Sequence, residues 1–322
     1  MKAVRLTAED GPSALEVAEV DPPVAGPAQV LIDVHAAGVS FVDLLMTRGQ
    51  YQERPSVPFV PGIEVSGVVS EAPPESGFTT GDRVAASVTS GGYAEVVAAP
   101  TGTTFRLPDV LDFRQGTALA VNYQTAHFAL VRRGRLQSGQ SVLVHGAAGG
   151  VGTASIQVAK GLGAVVTAVV RSERKQAVAS EAGADHVVII DAEWAKQARE
   201  FAPKGYALVV DPVGGELFDD SLRTLAPEGR HLVIGFAAGG IPAVKVNRIL
   251  LRNIDVVGVG WGAFLKVDPS IVASAADELG RMADEGIVSP LVGGTYPLDE
   301  AATALADLDK HAASAKLVLD VR

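Results

Sequence analysis

Cysteine is absent from the 322 residues, which excludes disulfides, thiolate catalysis and any cysteine-ligated zinc. Aromatics make up only 5% of the chain, too few for an aromatic-rich binding surface; Ala, Val and Leu supply most of the apolar content. No basic run interrupts a formal net charge of −10, so polyanions are repelled at long range and a nucleic-acid partner is not expected. No stretch approaches the roughly 18 uncharged apolar residues of a membrane span. The start, Met1-Lys2-Ala3-Val4-Arg5, runs into Glu9 and Asp10 without an apolar signal segment, which reads as a cytosolic protein. What is present is a chain that is 48% apolar, enough for a substantial core and long enough for about two domains.

The two halves differ in texture. Up to about residue 120, short apolar runs are broken by Pro and Gly: Val30–Val34, Glu64–Val69, Arg83–Val88 and Tyr93–Val97 read as strands. Phe41–Arg48 is the main helical candidate among them. Many short strands predict a barrel-like β domain. Beyond residue 120, apolar strands at Ser141–His145, Val165–Val170, His186–Ile190, Ala207–Asp211, His231–Gly235 and Asp255–Val259 alternate with helical stretches. The helices are Thr153–Leu162, Glu173–Ala182, Glu193–Phe201 and Glu216–Leu225. That alternation predicts right-handed βαβ units and a doubly wound parallel sheet. Ser270–Glu285 and Leu298–Lys310 look helical and Lys316–Val321 looks like a strand; periodicity leaves open whether that strand rejoins the first half.

The clearest motif is the turn His145-Gly146-Ala147-Ala148-Gly149-Gly150-Val151-Gly152-Thr153 after the first of the alternating strands. Glycines let the backbone approach a pyrophosphate, and the following helix directs its free N–H groups and positive dipole end at the phosphates. A purely structural turn is the alternative, but the strand–turn–helix context favours a dinucleotide. NAD-selective sites place a carboxylate at the end of the second strand, about 20 residues on. Here Val170 is followed by Arg171, Ser172, Glu173, Arg174 and Lys175. A cation and a hydroxyl come first and suit a 2′-phosphate, so NADPH is expected over NADH. Glu173 is a contrary sign, and a solvated basic loop is the bland reading.

With these residues in hand the chain resembles the zinc-free medium-chain dehydrogenase/reductases of the NADPH:quinone oxidoreductase, or zeta-crystallin-like, branch. The matching pieces are Ala36-Ala37-Gly38-Val39, Asp43, Arg48-Gly49, Pro61-Gly62-x-Glu64-x-x-Gly67, Gly81-Asp82-Arg83-Val84 and Gly91-Gly92-Tyr93-Ala94-Glu95. The Gly146–Gly152 turn, Gly183-Ala184-Asp185-His186-Val187, Asp211-Pro212-Val213-Gly214-Gly215, Val233–Ala237 and Val257-Gly258-Val259-x-Trp261-Gly262 follow in order. The resemblance implies a GroES-like catalytic domain at 1–120, joined by the C-terminal segment 290–322, and a Rossmann NADPH-binding domain at 121–289. It also implies homodimers joined near Asp255–Val259. It extends cofactor contact to Thr125, Asp211, Val213, Gly235, Phe236 and Ala237.

Zinc-containing relatives hold their metal with a cysteine shortly after the residue matching Gly38 and a histidine directly before that matching Glu64. Val39-Ser40 and Ile63 stand there, and no two of the six histidines (His35, His127, His145, His186, His231, His311) have zinc-ligand spacing, so no metal is expected. Without a Lewis acid, alkoxide-forming chemistry loses its stabilising group. Acceptors that tolerate negative charge remain, such as quinones, with 2-alkenals, enones or enoyl thioesters as the alternative. A non-catalytic NADPH-binding protein, crystallin-like or a sensor, is the third reading. The resemblance points to Ser40 and Tyr51 as catalytic groups, although most members carry Asn at the position of Ser40. Leu45, where some members carry Tyr, joins Asn247, Trp261 and Phe264 as the expected substrate pocket, with core packing the competing role for the aromatics. Glu64 and Asp43 are expected to be chiefly structural.

Overall fold

The computed structural model describes residues 1–322 except Arg54 and His311. The chain divides into two compact units. Met1–Val121, Pro269–Asp284 and Ser289–Arg322 form the first; Asn122–Asp268 and Glu285–Val288 form the second. The helix Ile271–Asp284 therefore groups with the first unit, whereas the sequence alone assigns everything from 121 to 289 to the second. Its buried residues Ile271, Val272, Ala275, Leu279 and Met282 make one apolar stripe. No described helix is long and apolar enough to cross a membrane.

The first unit begins with seven strands: β1 (Lys2–Leu6), β2 (Leu15–Glu19), β3 (Gln29–Val39), β4 (Glu64–Glu71), β5 (Arg83–Ser87), β6 (Val96–Pro100) and β7 (Thr104–Arg106). β3 organises them. Its first half buries Val30, Ile32 and Val34 in strict alternation, while Ala36–Val39 are buried throughout. Small residues allow that second half to be covered on both faces. The early half of β3 pairs with β6 and its middle with β4, with register shifts at Leu31/Ile32 and Val34/Ala36. Such bulges bend a strand so that one element can serve several partners. The sequence pattern places a strand at Tyr93–Val97; β6 starts three residues later because Tyr93 turns inward, its N–H donating to Pro61 O at 2.9 Å. Between β3 and β4 lies α1 (Phe41–Thr47), and α2 (Phe113–Ala118) follows β7.

The second unit holds six strands: β8 (Ser141–Val144), β9 (Val165–Val170), β10 (His186–Ile189), β11 (Tyr206–Asp211), β12 (Leu225–Val233) and β13 (Asp255–Gly258). All pair in parallel, in the order β10-β9-β8-β11-β12-β13. This is the doubly wound Rossmann arrangement. Helices α3 (Gly150–Gly161), α4 (Glu173–Glu181), α5 (Trp194–Phe201) and α6 (Leu217–Thr224) connect its strands. Leu143, Val169, Trp194, Tyr206, Val209, Phe218 and Leu222 form a core cluster of this unit.

After the helix Ile271–Asp284 come β14 (Val292–Pro297) and β15 (Lys316–Asp320). β15 pairs antiparallel with the end of β3 and parallel with β14, which completes the path β14-β15-β3-β4-β5-β7 of a seven-stranded sheet whose seventh member, β6, pairs with β3. The question left open by periodicity is answered by register: Leu317 lies opposite Val39 and Leu319 opposite Ala37. β14 escapes the sequence pattern because Gly293, Gly294 and a terminal Pro conceal a strand.

β15 opens with a buried lysine. Lys316 Nζ lies 2.7 Å from Glu64 Oε1 and donates to Val39 O at 3.2 Å, with side chains 3% and 0% exposed. Burial pushes the Glu64 carboxyl up to about 6, against the pull of the ammonium. Replacing Lys316 by Met strands a buried carboxylate, and a cost of about 3–5 kcal/mol is expected in urea unfolding at neutral pH. Adding Glu64→Leu to that variant should recover most of the loss. A Lys316→Met protein that unfolds at the wild-type urea midpoint would show that the pair does not hold the strand.

Candidate cofactor and substrate site

In a doubly wound sheet the crevice for a ligand opens where the strand order reverses, here between β8 and β11. The chain leaves β8 at that point and turns through Gly146, with φ of 56°, into α3. Gly149 N donates to Gly146 O at 2.9 Å, which closes the turn. Gly152 is packed so tightly under it that a Cβ would collide with Gly146 O. Gly149 is the N-cap of α3 and offers no side-chain cap, so the first-turn N–H groups of a 12-residue helix are left for a ligand. Ala147 and Ala148 are buried beneath the turn, and Val151 is half-buried in the first turn of α3.

A second feature lies at the end of β9. Ser172 is the N-cap of α4, yet its hydroxyl makes no capping bond. Around it are Arg171, Arg174 and Lys175. Burial lowers the pKa of Lys175, and the charges of Arg174 and Arg171 lower it further. A lysine crowded by two guanidinium charges in this way makes a place suited to an anion. Glu173 sits in the first turn of α4, where the helix dipole favours it. Asp191, at the end of β10, turns onto its own segment, accepting from Glu193 N at 2.8 Å and Gln197 Nε2 at 3.0 Å.

Across the switch point, Asp211 shapes the loop after β11. Its Oδ1 accepts from Val213 N and Gly214 N, each at 2.9 Å, and its Oδ2 faces His231 Nε2 at 3.0 Å. Burial acts to raise its pKa, but the bond and charge of His231, the charge of His145 and the Gly214 N–H outweigh it and hold the carboxyl below its ordinary value. Both oxygens of Asp211, expected as a cofactor contact, are thus occupied by the protein. What it offers a ligand is the position of Val213, whose Cγ2 lies 2.9 Å from where a Gly146 Cβ would be. The loop after β12 is tied to the same segment: Ala237 N donates to Pro212 O at 3.2 Å. Gly235 and Ala237 are half-buried and Phe236 is exposed.

The remaining residues expected from the sequence divide between the units. Thr125 is buried in the helix Gln124–His127 of the second unit, and Asn247 is exposed at the head of the helix Asn247–Arg252. Phe264 packs at 5.0 Å from the ring of Phe128, under the Arg132 guanidinium. Trp261 is buried with no partner for its Nε1–H among the described residues. In the first unit, Leu45 lies half-buried on α1, and Tyr51 is half-buried in the turn after it.

Ser40 is the N-cap of α1 and is committed to Asp43. Its Oγ donates to Asp43 Oδ2 at 2.7 Å and accepts from Asp43 N at 3.2 Å. Asp43 also receives Gly62 N and the Tyr93 hydroxyl. Burial pushes the Asp43 carboxyl up, and these donors and Lys316 pull it back. The hydroxyl proton of Ser40 is spent, which leaves it only an acceptor lone pair.

The other histidines sit in packing roles. His35 stacks on Phe113 and His186 on Phe201, and His127 is buried; His311 lies outside the described residues. Among the described residues no group of three or more His, Asp and Glu is placed to hold a metal ion. Sequence reasoning missed Asn122, which lies against Gly150 of the turn and carries no motif signature, and Lys316, a lone cation at the head of an apolar strand.

His145, directly before the turn, is fully buried with Nε2 2.7 Å from Ser221 Oγ. Ser221 Oγ donates to Leu217 O at 2.6 Å, so the imidazole proton is on Nε2. Burial holds its pKa down at about 4, with Asp211 opposing and His231 assisting. The folded-state value is below the ordinary 6.5, so the unfolded chain takes the proton first as pH falls. The stability tied to neutral His145 is complete above about 6.5, and about 3 kcal/mol of it is lost on the way down to about pH 4. His145→Gln keeps a donor for Ser221 and removes this titration. The gap in unfolding free energy between wild type and variant should therefore narrow across that window. A gap that stays constant would mean that His145 takes its proton in the folded protein at the same pH as in the unfolded chain, so that burial does not hold its pKa down.

Comparison with known proteins agrees with this architecture. Residues 26–109 match the alcohol dehydrogenase GroES-like domain, and residues 150–277 match the zinc-binding dehydrogenase family. The quinone oxidoreductase-like protein 2 of Rattus norvegicus is 36% identical over 312 residues, 96% of this chain and 89% of that protein. A probable oxidoreductase from Mycobacterium abscessus superposes with a TM-score of 0.92 at 45% identity, covering 100% of this chain and 99% of the other. The quinone oxidoreductase of Thermus thermophilus, solved also as its complex with NADPH, is 34% identical with a TM-score of 0.86 over 100% of both chains. With its GroES-like first unit and parallel Rossmann sheet, the chain belongs to the quinone oxidoreductase branch of the medium-chain dehydrogenase/reductases, a family of oxidoreductases.

Proposed function

We propose that the protein is an NADPH-dependent, zinc-independent oxidoreductase that reduces quinones by hydride transfer. The observation that carries this reading is the uncapped head of α3 beside the crowded cations at the end of β9. The first-turn N–H groups from Gly150 onward would hold the pyrophosphate, and Arg171, Ser172, Arg174 and Lys175 the 2′-phosphate. When bound, the dihydronicotinamide supplies the hydride. The loops 211–215 and 235–238 would flank it.

Zinc independence is supported by the donor set. Ile63 and Val39 have no side-chain ligand atom, and the neighbouring Glu64 is already paired with Lys316. Without a Lewis acid the acceptor must carry the incoming charge itself, which suits a quinone. The residues then orient, exclude water and hydrogen-bond the acceptor oxygen. Among the groups expected in the pocket, the buried Nε1–H of Trp261 is an unspent donor for such an oxygen. Ser40 is not one, since its proton is held by Asp43. Tyr51 and Leu45, in the first unit, are pocket residues on the resemblance described above.

A homodimer joined along β13 is part of this proposal. β13 is the edge of the parallel sheet, and Leu250 and Leu251 nearby in sequence are 74% and 75% exposed. Light scattering should give twice the chain mass for wild type and the single-chain mass for a Leu250→Glu/Val256→Lys variant. A monomeric wild type would refute the assembly.

One experiment tests the activity: NADPH and NADH titrated calorimetrically, then NADPH consumption followed with a panel of quinones, enones and enoyl-CoAs. NADPH should bind at least about tenfold tighter than NADH, as expected for charge-assisted bonds to one phosphate, and quinones should turn over fastest. Equal affinities would refute the 2′-phosphate assignment. Faster turnover on enones would make this a double-bond reductase, and binding without turnover a non-catalytic NADPH protein.

A further inference from the structure

At the head of α3 one buried group has no use in the protein. Asn122 is 8% exposed, and its Oδ1 has no hydrogen-bond partner among the described residues. An unsatisfied buried acceptor is destabilising, and such groups are rare enough in folded proteins to need a reason. The oxygen is held over the first residue of α3: a Cβ on Gly150 would lie 2.6 Å from it and 3.1 Å from Asn122 Cγ. A side chain at 150 would thus strike the carboxamide, and with glycine there Asn122 reaches the head of the helix. Its segment is fixed by the next residue, whose hydroxyl, Tyr123 Oη, donates to Gln157 Oε1 at 2.7 Å on α3 itself. Asn122 therefore stands rigidly beside the uncapped N–H groups, and its oxygen awaits a donor.

The chemistry of that donor is constrained. A pyrophosphate at the head of α3 has no proton to give, so it cannot satisfy the oxygen, although the nitrogen of the same carboxamide can donate to it. The groups flanking a pyrophosphate in a dinucleotide are two riboses. In NADPH the adenosine ribose carries its 2′-oxygen as a phosphate ester, whereas the nicotinamide ribose keeps both hydroxyls as donors. The cations suited to the 2′-phosphate lie at the end of β9, in a different segment from Asn122.

We propose that Asn122 is a cofactor-contact residue whose carboxamide oxygen accepts a hydrogen bond from a hydroxyl of the nicotinamide-side ribose, fixing that half of the dinucleotide at the head of α3. This inference rests on the NADPH reading above. Asn122 selects for a complete dinucleotide over its adenosine half, and Gly150 is glycine because the carboxamide occupies the space beside it.

The test compares NADPH with adenosine 2′,5′-bisphosphate, which has the 2′-phosphate but no nicotinamide ribose. Fluorescence titration of Asn122→Leu, which matches the amide in size without its polar atoms, should show NADPH bound about tenfold more weakly and the bisphosphate bound as in wild type. Asn122→Ala, which adds no bulk, should behave in the same way and guards against misfolding of the leucine variant. Losses that are equal for both ligands would overturn the proposal, because a merely structural asparagine disturbs both halves together; unchanged NADPH affinity would overturn it too. Wild-type protein that binds neither ligand would instead remove the cofactor assignment on which the proposal stands.

Discussion

A parallel sheet that grows in both directions from its first strand must leave a gap where the two directions part, and the second unit depends on that constraint. The gap lies between β8 and β11, and neither of the connections that leave those strands can cover it. The chain responds with backbone in place of side chains: Gly146, Gly149, Gly150 and Gly152 on one side, Val213 and Gly214 on the other. The polar groups of that backbone are then held from behind. Asp211 gives both carboxylate oxygens to its own loop and to His231, and His145 is locked to Ser221 beneath the turn. The site is open because buried ionisable residues under it are closed.

The first unit solves a different problem with the same materials. Asp43, Glu64, Tyr93 and Lys316 are buried together, and each has a named partner. Asp43 fastens the start of α1 to Gly62 and Tyr93, so the loop carrying Ser40 is set by a carboxylate that no acceptor needs to touch. This is why a serine there offers a lone pair and little else.

Much of this was legible in the sequence. The strand-turn-helix at Gly146–Gly152 and the alternation beyond residue 120 foretell the Rossmann sheet almost strand for strand, because buried parallel strands are continuous apolar runs. The cations after Val170 were readable because a missing carboxylate is as informative as a present one. The failures have physical causes. β14 is written in glycine and a terminal proline, and Ile271–Asp284 has the stripe of a helix but nothing that says which unit it packs on. Asn122 and Lys316 were invisible for another reason: their meaning is a property of what surrounds them, an oxygen without a donor and an ammonium without water. Ser40 and Asp211 stand out in the sequence, but sequence does not reveal that a hydrogen bond has already been made.

The pairing of β15 with the end of β3 sets the order in which the chain can assemble. Lys316 and Val39 are bonded although 277 positions apart in the sequence. During synthesis, β3, β4 and the buried Glu64 are made 252 positions ahead of the lysine that compensates that carboxylate. The second unit is almost one continuous stretch and holds its core within it. The second unit can therefore close before the first, which waits, with Glu64 uncompensated, until Lys316 has been made.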